Sequence, residues 1–299
     1  MKKRLFSGVG TALVTPFDPA NRINETVLRQ MLRFQLQNSA DAVILCGTTG
    51  ESATLSDREK LRIFSIGAEE LGGKLPVIAG VGSNDTKHTQ ELARAAEQCG
   101  VNGLLVVTPY YNKTTQVGAF RHFASVADAS SLSILLYNVP SRTGMDLSAA
   151  TVEKLAKHPN IIGIKEACGN MEKIARMRAE CPEDFSIYAG NDTEILPILA
   201  LGGDGVISVT SNLLPNVVHC ICTAFAKGEI AEALRLQLRL LPLTELLFRS
   251  VNPIHVKPLM ELIGFQCGEV RLPLEQLNEI QKAEVCSAAR PILQALTAI

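Results

Sequence analysis

No block of like charge appears anywhere in this sequence. Its 29 Lys and Arg residues nearly balance 30 Asp and Glu, for a formal net charge of −1. It therefore lacks the electrostatic footprint that nucleic acid or an anionic membrane surface selects, and small polar or charged metabolites remain as ligands. The basic start Met1-Lys2-Lys3-Arg4 has the charge of a secretion signal, but no apolar core follows it, so a cytoplasmic location is expected. Eight cysteines (46, 99, 168, 181, 220, 222, 267, 286) include no pair spaced like a zinc or redox motif. Cys220-Ile221-Cys222 is too tight and too apolar in its surroundings for a knuckle. The five histidines (88, 122, 158, 219, 255) are equally dispersed. Reduced thiols and no metal site are expected. Linkers, low-complexity runs and repeats of 20–50 residues are also missing.

What is present is alternation. Short runs rich in Val, Ile and Leu stand at residues 10–15, 42–46, 76–79, 103–107, 133–137, 161–165, 186–189 and 205–209. Amphipathic segments of helical period lie between them, at 25–38, 56–71, 86–98, 116–130, 148–157, 171–180, 193–201 and 215–227. Continuously apolar strands are covered on both faces, as in a parallel sheet. Eight β-then-α units predict an α/β fold, a closed (β/α)8 TIM barrel, and 299 residues suit one. A doubly wound open sheet would carry a glycine fingerprint after its first strand, where Thr15-Pro16-Phe17 stands instead. Beyond residue 228 only helical patterns remain: 229–247 with a kink or break at Pro242, then 253–263 and 273–298. The expected organisation is a barrel over 1–228 and a C-terminal helical appendage over 229–299.

In such a barrel, chemistry sits at the C-terminal ends of the strands. Ile161-Ile162-Gly163-Ile164-Lys165-Glu166 ends a buried run with a lysine. Lysine is rarely buried without a partner or a task, and the neutral amine of a buried lysine forms a Schiff base with a carbonyl substrate. The plainer alternative is an exposed lysine paired with a carboxylate. Gly47-Thr48-Thr49-Gly50-Glu51-Ser52 reads either as a carboxylate cradle of inward N–H groups and hydroxyls or as a loop capping the next helix. Of only four tyrosines, Tyr110, Tyr111 and Tyr137 follow or end strands. A phenol near the lysine would relay protons, although Tyr110 and Tyr111 would equally serve as subunit anchors. Arg142, in a Pro/Gly-bounded loop, suits bidentate capture of a carboxylate or is an ordinary surface arginine. The loops after the last two strands carry no Lys or Arg, which favours a carboxylated over a phosphorylated substrate. Convergence of these groups on one face favours the catalytic reading of Lys165.

These same motifs, with Tyr137-Asn138-Val139-Pro140-Ser141-Arg142-Thr143-Gly144, Gly205-Val206-Ile207-Ser208-Val209 and Asn252-Pro253, resemble the class I pyruvate-dependent aldolases and within them the dihydrodipicolinate synthase family. The resemblance runs from about Gly8 to the C-terminus. It implies condensation of pyruvate, held as an imine on Lys165, with L-aspartate 4-semialdehyde, without metal or other cofactor. Tyr137, Thr48 and Tyr111 would form the proton relay, Tyr111 entering from a neighbouring subunit. Thr49 would hold the pyruvate carboxylate, Arg142 that of the semialdehyde, and Gly190 and Ile207 would offer backbone groups. A homotetramer, a dimer of dimers, is implied too. A sialic acid or keto-sugar-acid lyase of the same superfamily, or a barrel that only binds, is the alternative; the latter is expected to lack Lys165 or Tyr137.

The sequence departs from the family where feedback-inhibited members bind lysine. That region would comprise Ser52, Ala53, Asp57, Lys60, Asn84, His88 and Tyr110. Asp57 and Lys60 stand where histidines are common, and His88 where a glutamate is. Weak or absent inhibition by lysine is expected. His255 departs as well, and no role is assigned to it.

Overall fold

The computed structural model describes residues 2 and 4–297. The expected helix end at Ala298 thus lies outside the described residues, as do Met1 and Lys3 of the N-terminal start. Eight apolar runs form strands β1 Gly8–Ala12, β2 Ala42–Leu45, β3 Val77–Gly80, β4 Gly103–Val107, β5 Ser133–Asn138, β6 Ile161–Glu166, β7 Ser186–Ala189 and β8 Gly205–Ser208. They pair in parallel, in sequence order, into a closed barrel, with β1 against β8 through Gly8↔Gly205 to Thr11↔Ser208. β1 lies two residues earlier than the apolar pattern suggests. Its ladder ends because the Val14 N–H donates to the Asn212 side chain at 3.0 Å rather than to a strand.

Barrel closure divides the apolar residues into two sets. An inner cluster of Phe6, Ala12, Ala42, Ile44, Ile78, Leu105, Leu135, Tyr137, Ile162, Tyr188 and Ile207 fills the interior. A larger outer cluster joins strand and helix faces, and the helices Ile230–Leu247, Val256–Leu262 and Glu279–Thr297 bury their apolar stripes in it. Phe6 stacks on Tyr188 with ring centroids 4.3 Å apart, closing the lower end. A Cβ at Gly10 would stand 2.8 Å from both Phe6 and Ile44, so glycine there makes room for the large plug.

Two helix boundaries differ from expectation. The helix Ile230–Leu247 passes through Pro242 without a break, because Pro242 lies on the exposed face, where water can serve the Leu238 carbonyl that proline cannot. The last helix starts at Glu279 rather than at Pro273, since the Asn278 side chain accepts the Gln281 N–H at 2.9 Å as a cap. Residues 264–278 instead run over the barrel's open end. Among the described residues, no helix is long and apolar enough to cross a membrane.

Arg271 in that segment pairs with Glu59 through 2.6 and 3.1 Å contacts, its guanidinium 4.1 Å above the Phe17 ring. The Arg271 hydrogen bonds hold the Glu59 carboxyl down to about 2. An unfolded glutamate titrates near about 4.3. The folded value is the lower one, so the pair's contribution to stability is complete above that range and lost as pH falls toward 2. Glu59→Gln is therefore expected to lower the melting temperature at pH 7. The gap to the parent protein should close below pH 4 in thermal melts across pH; a gap independent of pH would contradict the pairing.

Candidate active site

A one-residue irregularity brings the key lysine inward. Strict alternation from Ile162, which packs in the interior, would turn Lys165 outward. The β5–β6 register instead steps from Ile134↔Ile161 to Leu135↔Gly163, a bulge that leaves Ile162 unpaired and sets Tyr137 opposite Lys165. Lys165 is 5% exposed, its Nζ 4.5 Å from the centre of the Tyr137 ring. It pairs with no carboxylate among the described residues. The adjacent Glu166 points to the other side, where Asn138 donates to it at 2.8 Å and Lys173 lies 3.5 Å away. Burial pushes the Glu166 carboxyl up. The exposed, ion-paired alternative for Lys165 is thus excluded.

Beside the Lys165–Tyr137 pair an open cavity is lined by Gly47, Thr48, Tyr110, Tyr137, Arg142 and Thr143, among others, while Lys165, Thr49, Gly190 and Ile207 lie behind its wall rather than in it. Arg142 sits on a single helical turn, Pro140–Thr143, which Gly144 ends in the left-handed region at φ +66°. Its exposed guanidinium forms no ion pair among the described residues. Thr49 is buried, and Asn252 Nδ2 donates to its Oγ1 at 2.9 Å. Gly190 donates its N–H to the Glu166 carbonyl at 2.7 Å, and a Cβ there would meet Ala167 at 2.6 Å, which leaves only its carbonyl for a ligand. Ile207 is fully buried in the inner cluster. Tyr111 is 91% exposed with φ +68° and does not line this cavity. Tyr188, the fourth tyrosine, donates to the Phe6 carbonyl at 2.6 Å and belongs to the plug.

The model of the dihydrodipicolinate synthetase family matches residues 5–291. The chain belongs to that family. The 4-hydroxy-tetrahydrodipicolinate synthase of Caldicellulosiruptor bescii is 49% identical over 275 residues, 92% of this chain and 93% of its own length. Among solved structures, that of the 4-hydroxy-tetrahydrodipicolinate synthase of Methylacidiphilum fumariolicum superposes with a TM-score of 0.94 at 38% identity, covering 98% of this chain and 97% of its own. Lysine-bound dihydrodipicolinate synthase from Cyanidioschyzon merolae gives 0.94 at 39% identity, covering 98% and 100%.

Within the family's barrel, the seven residues of the expected regulatory region line one adjoining cleft, with Ser83 and Asp85. His88 Nε2 lies 2.8 Å from Asp57, and Lys60 Nζ 3.9 Å from it. Sequence reasoning missed the supports of the Cys46–Ser52 turn. Glu51, left-handed at φ +56°, receives Lys257 Nζ at 2.6 Å and the Arg271 N–H at 2.8 Å. Burial lowers the Lys257 ammonium's pKa against the raising effect of Glu51. The available signal was a second lysine inside an apolar run, Val256-Lys257-Pro258-Leu259-Met260. His255 also finds a place: buried, it lies with Nδ1 2.6 Å from the Leu246 carbonyl, which can only accept, so it caps the end of helix Ile230–Leu247.

Proposed function

We propose that this chain condenses pyruvate with L-aspartate 4-semialdehyde to 4-hydroxy-tetrahydrodipicolinate, the entry step of diaminopimelate and lysine biosynthesis, as a class I aldolase-type lyase. The observation that carries the chemistry is the buried, carboxylate-free Lys165 beside Tyr137, which lines an open cavity. Its amine adds to the pyruvate carbonyl, and loss of water gives an imine. Removal of a methyl proton gives the enamine, whose carbon attacks the aldehyde. The substrate's own amine then displaces Lys165 as the ring closes.

Tyr137 moves the protons of these steps, with Thr48 beside it in the cavity and Tyr111 supplied to a neighbouring subunit. The 91% exposure of Tyr111 supports that reading, since such an aromatic belongs against a partner. Thr49 holds the pyruvate carboxylate, the unpaired Arg142 that of the semialdehyde, and Gly190 and Ile207 contribute carbonyl groups. The reactive group is a side chain, so no metal or other cofactor enters the scheme. The working form is a cytoplasmic homotetramer of tight dimers. Each chain divides into a barrel, residues 1–228, and a helical domain, 229–299, whose segments roof the site.

Borohydride reduction in the presence of pyruvate tests this. A pyruvate-derived adduct on the Lys165 peptide is expected by mass spectrometry, and turnover should follow with aspartate 4-semialdehyde but not N-acetylmannosamine. A folded protein that traps no adduct would sink the assignment.

The adjoining cleft supports weak control by lysine. Asp57, which lines the cleft with Asp85, already faces His88 and Lys60, so an incoming ammonium meets a satisfied acid and a like charge. Millimolar L-lysine is expected to leave the initial rate nearly unchanged, and strong inhibition would refute this.

A further inference from the structure

A hydroxyl has one proton to give and two lone pairs to offer. At Thr49 one lone pair is occupied by the Asn252 amide at 2.9 Å, and Thr49 Oγ1 makes no other hydrogen bond among the described residues. Its proton therefore has no acceptor among the described residues, and Asn252 and Thr48 on either side of it line the cavity. Asn252 is itself buried, at 5% exposure, and lines the cavity with Thr48, Tyr137 and Arg142. Its Oδ1 is buried and has no partner. Nδ2 uses one of its two protons on Thr49; the reversed amide would pair Oδ1 with the Thr49 proton instead and leave both N–H donors without a partner. Neighbouring contacts fix the geometry on both sides: Lys257 and Arg271 clamp Glu51, two residues past Thr49, and the buried His255 holds the segment that carries Asn252 to the preceding helix.

We propose that Asn252 is the positioning residue of the keto-acid carboxylate site: by donating to Thr49 it turns that hydroxyl's proton toward the substrate. The inference rests on the reading of Thr49 as holder of the pyruvate carboxylate. Asn252 acts through Thr49 and takes no part in the covalent steps. It belongs to a segment 203 residues away in sequence, so the substrate site is complete only when the C-terminal helices have docked.

Steady-state kinetics of Asn252→Asp, Asn252→Ala, Thr49→Val and the double variant Thr49→Val/Asn252→Ala test this. Asn252→Asp keeps the side chain's shape but can only accept, so the Thr49 proton turns toward it and away from the substrate, and it adds a negative charge that the double variants separate from this effect. Pyruvate KM is expected to rise about ten- to a hundredfold, as for loss of a hydrogen bond to a charged group. The semialdehyde KM and kcat should change by less than about threefold, the split that marks binding of one substrate. In the Thr49→Val background, removing Asn252 should add less than about twofold, because its route of action is already gone. Unchanged pyruvate KM in Asn252→Asp, multiplicative effects in the double variant, or equal loss in every parameter together with a lower melting temperature would each overturn the proposal. Should Asn252→Ala fail to fold, Asn252→Asp in the Thr49→Val background replaces it: a rise in pyruvate KM there as large as in the parent would mark charge repulsion alone and overturn the proposal. Unchanged pyruvate KM in Thr49→Val would show separately that the carboxylate reading of Thr49 is what failed.

Discussion

Lys165→Ala is expected to abolish turnover and borohydride-trapped labelling together. A positioned intramolecular nucleophile acts with an effective molarity on the order of 10⁵ to 10⁸ M, so its removal should lower kcat/KM by about 10⁵-fold or more. No nearby amine can substitute. Lys173 lies on the other side of β6, where its Nζ is bound to Asp146 and faces Glu166 at 3.5 Å. Lys173→Met should accordingly leave the label on Lys165. Tyr137→Phe keeps the ring that Lys165 Nζ overlies but removes the hydroxyl, and a loss of about 10²- to 10⁴-fold in kcat is expected, as for removal of a proton-transfer group. Mass spectrometry of reduced samples, set beside rates, separates the two roles: the phenylalanine variant should still form the adduct, slowly, and the alanine variant should not. A labelled Lys165→Ala protein would assign the chemistry to another amine.

Lys257→Met is expected to be strongly destabilising. Lys257 and Glu51 side chains are 2% and 1% exposed, with Nζ 2.6 Å from the carboxylate, 4.1 Å above the Phe17 ring and 2.8 Å from the Glu269 carbonyl. Methionine fills similar volume but strands the Glu51 charge with one backbone donor, that of Arg271. Breaking one side of a buried pair costs about 3–5 kcal/mol. For a chain of this size that is a fall in melting temperature on the order of 10 °C. The double variant Glu51→Gln/Lys257→Met removes the stranded charge and should recover part of the loss. Calorimetry on the single and double variants checks this, and a single variant within a degree or two of the parent would refute it. Glu51 closes the turn that carries Thr48 and Thr49, so the single variant should also raise pyruvate KM.

Much of the site could be read from the chain itself, because barrel chemistry gathers where apolar runs stop. Lys165, Tyr137, Thr48 and Arg142 each end or follow such a run, and the cavity joins the last three, with Lys165 against the Tyr137 ring. The cleft of Ser52, Asp57, Lys60, Asn84, His88 and Tyr110 was equally accessible, since its residues come from three consecutive β-then-α units. Less legible was the inward turn of Lys165. Periodicity assigns faces by alternation, and the bulge at Ile162 breaks alternation without leaving a mark in residue type. The Pro242 and Pro273 boundaries failed for a related reason: a proline signals where a helix is weakened, while exposure and the Asn278 cap decide where it ends.

By itself, then, the sequence determined the number and order of the eight units, the barrel they close into, and the residue types at its open end. These follow from local apolar periodicity, which each segment carries without its neighbours. Only the tertiary structure decided that Asn252 meets Thr49 across 203 residues and that Arg271 meets Glu51 across 220. Such pairs have no periodic signature. They exist because burying a charge or a hydroxyl requires a partner, and the partner is whichever polar group the docked C-terminal segments bring within hydrogen-bond reach.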